Sequence, residues 1–144
     1  MTAIAPAAST TTAVAHRPGK KMNIALWTVQ ILLGLFLIVA SAAPKLFGQH
    51  DAVEAFETIG WGVWFRYFTG LVELAGGIGL LVPRLTGPAA VGLSITMVCA
   101  ALTQAFLLGA PALMFFPLIL GVVFVWIAWQ RRDSITAARE LLSR

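Results

Sequence analysis

The sequence predicts an all-α membrane protein, an antiparallel bundle of four transmembrane helices with a short amphipathic helix in the first outer loop. The first observation is composition, because 59% of the 144 residues are hydrophobic and 11% are charged, whereas soluble domains carry about 25% charged residues. The second is the presence of four apolar runs, each close to the roughly 20 residues that a helix needs to cross a bilayer. The third is the placement of the basic residues, most of which flank those runs.

The four apolar runs occupy residues 24–43, 63–82, 89–108 and 112–129. Prolines mark the ends of two of them, since Pro44 follows the first run and Pro83 the second, and proline has no N–H with which to continue a helix. Residues 109–111, Gly-Ala-Pro, predict a tight turn between the third and fourth runs. Pro117 predicts a bend within the fourth helix, which neighbouring helices can accommodate.

The polar ends divide the chain into three parts. Residues 1–21 are rich in Ala, Thr, Ser and Pro without an apolar period, and we predict a disordered cytoplasmic tail. Residues 22–130 form the predicted membrane domain. Residues 131–144 place Ile135 and Leu142 opposite arginines, which predicts a cytoplasmic amphipathic helix along the membrane surface.

The first apolar run is open to a second interpretation. Basic residues precede it, and residues 40–42 read Ala-Ser-Ala, which is similar to the cleavage site of a signal peptide. The run is longer, however, than the roughly 7–15 apolar residues of such peptides, and a long polar segment precedes it. We favour a retained membrane span, and cleavage before Ala43 is the alternative.

The basic residues predict the orientation of the helices. With the N-terminus inside, eight of the ten basic residues lie on the inner side and two, Lys45 and Arg66, on the outer side. This positive-inside bias places both termini in the cytoplasm. Because the basic residues flank apolar runs, we attribute the net charge of +4 to signals that orient the helices in the membrane, and not to a surface that binds nucleic acid. We therefore predict the lipid bilayer as a partner and no nucleic acid.

The outer loop between the first two runs carries an amphipathic period. Apolar residues recur at every third position on one face, at Val53, Phe56 and Ile59. Acidic residues recur at the same interval on another face, at Asp51, Glu54 and Glu57. This spacing predicts a helix over about residues 51–58, resting on the outer surface. Two interpretations remain for it: an interfacial spacer, or an acidic docking face for an extracytoplasmic partner.

One acidic residue, Glu73, lies in the middle of the second apolar run. A carboxylate at the bilayer centre costs roughly 2.5–3.5 kcal/mol, so it is expected to face the bundle and meet a partner. Helical spacing directs Arg66 to the same face, while Lys45 ends the first helix and Gln104 lies near the end of the third. The predicted polar cluster is therefore Lys45, Arg66, Glu73 and Gln104. Lys45 is the preferred partner of Glu73, and Arg66, one of the two predicted partners, is less favoured because it lies about 10 Å along the same helix.

This cluster has two interpretations. A buried ion pair can fix the register of the helices and bind nothing. Alternatively, the cluster is a binding site for a small molecule or a proton, because ionisable residues within a membrane commonly mark function.

The sequence offers few groups for redox or metal chemistry. Cys99 is the single cysteine, which excludes an intramolecular disulfide and a CxxC pair, and we predict that it fills buried space. His16 and His50 lie outside the apolar runs, which excludes a haem held between two histidines in the bilayer. The sequence contains no phosphate-binding glycine loop and no nucleophile elbow. We therefore predict no metal site and no cofactor within the chain itself. The sequence shows no self-contained catalytic motif and leaves open whether the chain takes part in an enzyme.

Two segments resemble a known family. Residues 41–48, SAAPKLFG, are similar to the small-x-x-Lys-Leu end of the first helix in DoxX and DoxX-like membrane proteins. Residues 70–81, GLVELAGGIGLL, are similar to the G-x-x-E-x-x-G-G-x-x-L-L pattern of their second helix. The resemblance extends over residues 26–129, and it implies that Lys45 and Glu73 are the family's charged pair.

The resemblance implies a multi-pass protein of the bacterial inner membrane, since the family is named for a membrane subunit of a thiosulfate:quinone oxidoreductase. It implies an accessory or anchor subunit of a quinone-linked redox complex, with an oxidoreductase partner and a quinone or similar lipophilic molecule near Glu73. In an enzyme, the chain would be at most a membrane subunit of an oxidoreductase. Many members carry a histidine where this chain has Gln104, so a haem or proton-transfer role of that histidine does not carry over. A proton-coupled transporter and a scaffold without a ligand are the alternatives.

Overall fold

The computed structural model describes residues 17–143, and this part of the chain contains helices and no strand. Residues 1–16 of the predicted disordered tail lie outside the described residues, and Lys20 and Lys21, predicted to end that tail, begin the first helix. A short 3-10 helix, Pro111–Met114, precedes the fifth helix. The helices are α1 (Lys20–Phe47), α2 (His50–Ile59), α3 (Val63–Leu81), α4 (Thr86–Phe106), α5 (Phe115–Gln130) and α6 (Arg132–Leu142).

Three segments are long and apolar enough to cross a membrane: Lys20–Phe47, Thr86–Phe106 and Pro111–Gln130. The all-helical class and the presence of several candidate membrane spans are thereby confirmed. Helix α3 has 19 residues and is about 28 Å long at 1.5 Å per residue. It carries Arg66 and Glu73 along this length and is not among the three apolar segments.

Helices α1 and α3 pack against each other through glycines. A Cβ built on Gly34 would lie 3.0 Å from the carbonyl oxygen of Gly77, and one on Gly70 would lie 3.2 Å from the Cβ of Lys45. Positions rise along α1 as they fall along α3, so the two helices are antiparallel. Small residues at such contacts permit close approach of helix backbones in membranes.

The hydrophobic core draws on all four long helices. Their outward faces are also apolar, as in Val122 of α5, which is 70% exposed. Because a helix that is apolar all round suits a lipid environment, this distribution agrees with a membrane protein. The largest core residues are Leu26 and Leu37 of α1, Leu80 of α3, Leu93 and Met97 of α4, and Phe124 and Ile127 of α5.

Helix α1 continues beyond Pro44, where the sequence predicted that it would end. The segment Phe36–Ala42 is π-helical, and the amide of Ala43 donates to the carbonyl of Ile38, five residues earlier. Proline has no N–H, and its ring collides with the carbonyl four residues back in an α-helix. The wider turn accommodates Pro44, so the helix reaches Phe47 and ends at Gly48, whose φ is 71°.

Helix α6 is docked against the first turn of α4. The amide of Gly87 donates to Oγ of Ser134 over 2.9 Å. A Cβ built on Gly87 would lie 2.5 Å from that oxygen and 2.6 Å from Cγ1 of Ile135. The close approach of the two helices therefore depends on the absence of a side chain at Gly87.

We expect Gly87→Ala to lower the free energy of unfolding by about 1–3 kcal/mol, the usual cost of forcing extra atoms into a well-packed contact. Gly92→Ala on the same helix is the matched control, since a Cβ there would meet nothing within 4 Å. Thermal unfolding of both variants in one detergent provides the measurement. Equal stability of the two variants would contradict the docking of α6 on α4.

Candidate functional site

The centre of the candidate site is an ion pair between α1 and α3. Nζ of Lys45 lies 2.6 Å from Oε2 of Glu73, and the two side chains are 17% and 5% exposed. Glu73 occupies the middle of α3, and Lys45 extends to it from the last turn of α1. The two charges therefore compensate each other where little water reaches them.

Ser41 completes this pair and is absent from the predicted cluster. Its hydroxyl donates to Oε2 of Glu73 over 2.9 Å. Lys45 donates to the hydroxyl of Ser41 over 3.0 Å and to its carbonyl over 3.2 Å. The spacing of Ser41, four residues before Lys45, already indicates in the sequence that the two side chains share one helix face.

Arg66 supports the pair through the backbone. Its side chain is buried, and its guanidinium Nη1 donates to the carbonyl oxygen of Lys45. The guanidinium carbon lies 4.6 Å from the centre of the Tyr67 ring, within the range of a cation–π contact. A cation at this position also opposes the negative end of the α1 dipole. Arg66 thus holds the end of α1, and with it the backbone of Lys45.

Gln104, the fourth member of the predicted cluster, stands apart from the other three. It is half-buried near the end of α4, and its amide makes no hydrogen bond to the residues that the structure describes. It nevertheless lines the same cavity as Lys45 and Glu73. The structure therefore brings three predicted residues into contact and places the fourth across a cavity from the ion pair.

This cavity has a volume of about 790 Å³ and is bordered by α1, α2, α3 and α4. Aromatic side chains from α2, from α3 and from the segment between them line it, and the rings of Trp61 and Phe65 lie 4.7 Å apart. Cys99 is exposed and also lines the cavity, so the prediction that it fills buried space is wrong. A mainly apolar cavity with a few polar groups is typical of small-molecule sites.

A second polar contact lies in the first half of α1. Gln30 is fully buried, and Nη2 of Arg131 donates to its Oε1 over 3.2 Å. The guanidinium carbon of Arg131 lies 5.5 Å from the centre of the Trp27 ring. Burial lowers the pKa of Arg131 from its ordinary value. Gln30 precedes Lys45 by fifteen residues, about 22 Å along a helix, so this contact connects α1 to the end of α5 and is separate from the cavity.

Within residues 17–143, no group of three His, Cys, Asp or Glu residues could hold a metal ion. The polar groups of the residues that line the cavity are hydroxyl, amide, ammonium, carboxylate and indole N–H groups, together with one thiol. The arrangement can therefore bind a molecule or exchange a proton through the residues described.

These features define the class: a small helical membrane protein with a buried lysine–glutamate pair between two antiparallel helices, facing a cavity. The chain belongs to the DoxX-like family, whose model matches residues 28–127. The match begins in α1, ends in α5 and includes both residues of the pair, so the resemblance noted in the sequence is confirmed. Comparison with curated proteins and with solved structures gave no match.

Proposed function

We propose that the chain crosses the membrane four times, with α3 as the additional crossing and both termini in the cytoplasm. Two observations support this arrangement. The charged side chains of α3, Arg66 and Glu73, are 7% and 4% exposed, so neither faces lipid. Helix α3 also contributes Leu80 to the same core as the other long helices. With this orientation the ion pair and α2 lie toward the outer face of the inner membrane.

The function that we propose is that of an accessory or anchor subunit of a quinone-linked redox complex, with a site for a small lipophilic molecule next to Glu73. The observation that carries the proposal is the cavity of about 790 Å³ with the ion pair in its wall. Ligand sites commonly have volumes of about 300–1,000 Å³. A quinone or quinol ring fits this volume, and the amide of Gln104 can donate to or accept from its oxygen atoms.

The family resemblance supports the redox part of this proposal, and the partner would supply the electron carrier. The residues of this chain that line the cavity bind and orient the lipophilic molecule. Glu73 and Lys45 provide a polar end to the cavity, while Phe56, Phe65 and Phe68 provide an apolar wall. A membrane-embedded carboxylate that borders a cavity also favours a second candidate, a proton-coupled transporter of small molecules.

Solvent extraction of the purified protein tests the redox proposal. We expect protein isolated in mild detergent to release a quinone in stoichiometric amounts, detected by mass spectrometry, whether it is bound in the oxidised form or as the quinol. Ala100→Trp is expected to reduce this amount because Ala100 lines the cavity. Val98→Trp is the matched control, since Val98 lies on the same helix, is 49% exposed and is not part of the cavity wall.

Absence of quinone from the wild-type protein would contradict this proposal. Proton-driven uptake of a substrate into liposomes that contain this protein alone would instead support the transporter. The scaffold interpretation predicts neither result. The two experiments together therefore distinguish the three functions.

A further inference from the structure

We propose that the cavity next to Glu73 selects an uncharged lipophilic molecule with a hydroxyl donor, such as a phenol, a quinol or an alcohol, over a molecule with only carbonyl or ether oxygens. This inference rests on the proposed function, a site for a small lipophilic molecule, and adds the chemical class of that molecule. It follows from counting which donors and acceptors the cavity wall leaves free.

The strongest donors at the ion pair are already used. An ammonium group has three protons, and Lys45 donates to the Oε2 of Glu73, the hydroxyl of Ser41 and the carbonyl of Ser41. The hydroxyl proton of Ser41 is directed to Glu73. Neither side chain therefore has a proton left for a ligand.

Three threonines in the cavity wall, Thr69, Thr96 and Thr103, are occupied in the same way. Each hydroxyl donates to the backbone carbonyl four residues earlier, over 2.8, 3.0 and 2.9 Å respectively. A hydroxyl has one proton and two lone pairs. What these side chains offer to a ligand is therefore an acceptor oxygen.

Glu73 contributes the strongest free acceptor. Its Oε2 accepts from both Ser41 and Lys45, whereas its Oε1 accepts no hydrogen bond from the residues that the structure describes. The side chain is 5% exposed and lines the cavity. Hydrogen bonds to ionised acceptors are shorter and roughly twice as strong as those between neutral groups. A ligand hydroxyl is the natural partner of Oε1.

The free donors along the wall are fewer. Gln104 offers its amide protons together with its amide oxygen. Trp61 lies at the rim and is 54% exposed, so water can reach its indole N–H. Cys99 adds a thiol, which is a weak donor. Around the ion pair, acceptors therefore outnumber donors, which favours a ligand that donates.

The charges of the cluster favour a neutral ligand. Lys45 and Arg66 are cations and Glu73 is an anion, so a ligand amine would meet a net positive charge. A ligand anion would face the unpartnered oxygen of Glu73, because the protons of Lys45 are used and Arg66 is directed to a backbone carbonyl. The remaining acidic group at the cavity, Asp51, is fully exposed at the rim, where water screens its charge.

Two ligands, of which one has a hydroxyl donor and the other has a methyl group in its place, test this inference on the unaltered site. The probes are 4-hexylphenol and its methyl ether 4-hexylanisole, added to the full-length protein in nanodiscs. Cys99, the single cysteine, lines the cavity and reports occupancy through its rate of reaction with N-ethylmaleimide, followed by intact mass. We expect the phenol to slow labelling at a concentration at least about tenfold lower than the ether, because an unmet hydrogen bond to a charged group commonly costs this much or more.

A Cys99→Ser, Thr136→Cys variant is the control, since Thr136 is exposed on α6 at the opposite end of the bundle. Equal protection of Cys99 by both probes would overturn the hydroxyl preference and leave the proposed lipophilic site standing. Protection of Cys99 by neither probe would overturn this inference, and combined with the absence of extractable quinone it would also overturn the proposed function. Equal protection at Thr136→Cys would show that the effect does not arise in the cavity, and would overturn the inference.

Discussion

Glu73→Gln is expected to lower the free energy of unfolding by about 3–5 kcal/mol, the range measured when one partner of a buried ion pair is removed. The ammonium of Lys45 is 17% exposed and loses its counter-charge in this variant. Glu54→Gln is the matched control, because Glu54 is exposed on α2 with a side-chain exposure of 73%. The control is expected to change stability by no more than about 0.5 kcal/mol. Reversible unfolding of each variant in mixed micelles provides the measurement.

The double variant Glu73→Gln, Lys45→Met separates the ion pair from simple packing. Removal of both charges is far less costly than removal of one, so the double variant is expected to recover much of the lost stability. A double variant no more stable than Glu73→Gln would show that Lys45 and Glu73 are not energetically coupled. If the double variant is stable but no longer retains quinone, the ion pair is required for quinone binding.

Gly77→Val is expected to lower the free energy of unfolding by about 3 kcal/mol, the upper range for overpacking a tight contact. A Cβ at Gly77 would lie 2.9 Å from Cγ1 of Ile38 and 3.0 Å from the carbonyl oxygen of Gly34. The second of these atoms belongs to the backbone, so the whole of α1 would have to shift. Unfolding in mixed micelles measures the loss.

The matched control for this substitution is Gly92→Val on α4, because a Cβ at Gly92 would meet nothing within 4 Å. Both variants add the same β-branched side chain to a helix interior, so the difference between them reports packing alone. If Gly92→Val is as destabilising as Gly77→Val, the loss does not arise from the contact with α1, and the close contact of α1 with α3 is not what stabilises the bundle.

Much of the fold could be predicted from the sequence because it depends on local patterns. The long apolar runs predicted the helices, and the three-residue period of the outer loop predicted the helix that the structure has at His50–Ile59. Helix α3 was the difficult case for a hydropathy criterion, since Arg66 and Glu73 lower the apolar character of the very segment that they occupy. Their burial among other helices is a tertiary property that composition does not contain.

Part of the site could also be predicted from the sequence. An isolated carboxylate in a membrane is costly, which predicted a partner for Glu73. The first two apolar runs were expected to be antiparallel, and this arrangement favoured Lys45 as the partner. The role of Arg66 could not be read from the sequence, because its hydrogen bond is to a backbone carbonyl of another helix. The exposure of Cys99 was missed because the cavity is bordered by residues of four helices and so exists only in the assembled bundle.

The π-helical segment Phe36–Ala42 changes the direction in which the residues of α1 that follow it point. In an α-helix each residue advances by about 100° around the axis, whereas a π-turn advances less per residue and so changes the phase of everything that follows. The half of α1 before the segment directs Gly34 to the backbone of α3. The half after it directs Lys45 to Glu73. One continuous helix therefore presents contact residues at two different angles around its axis. Those before the π-helical segment determine how closely α1 and α3 approach, and those after it place the charge of Lys45 next to Glu73.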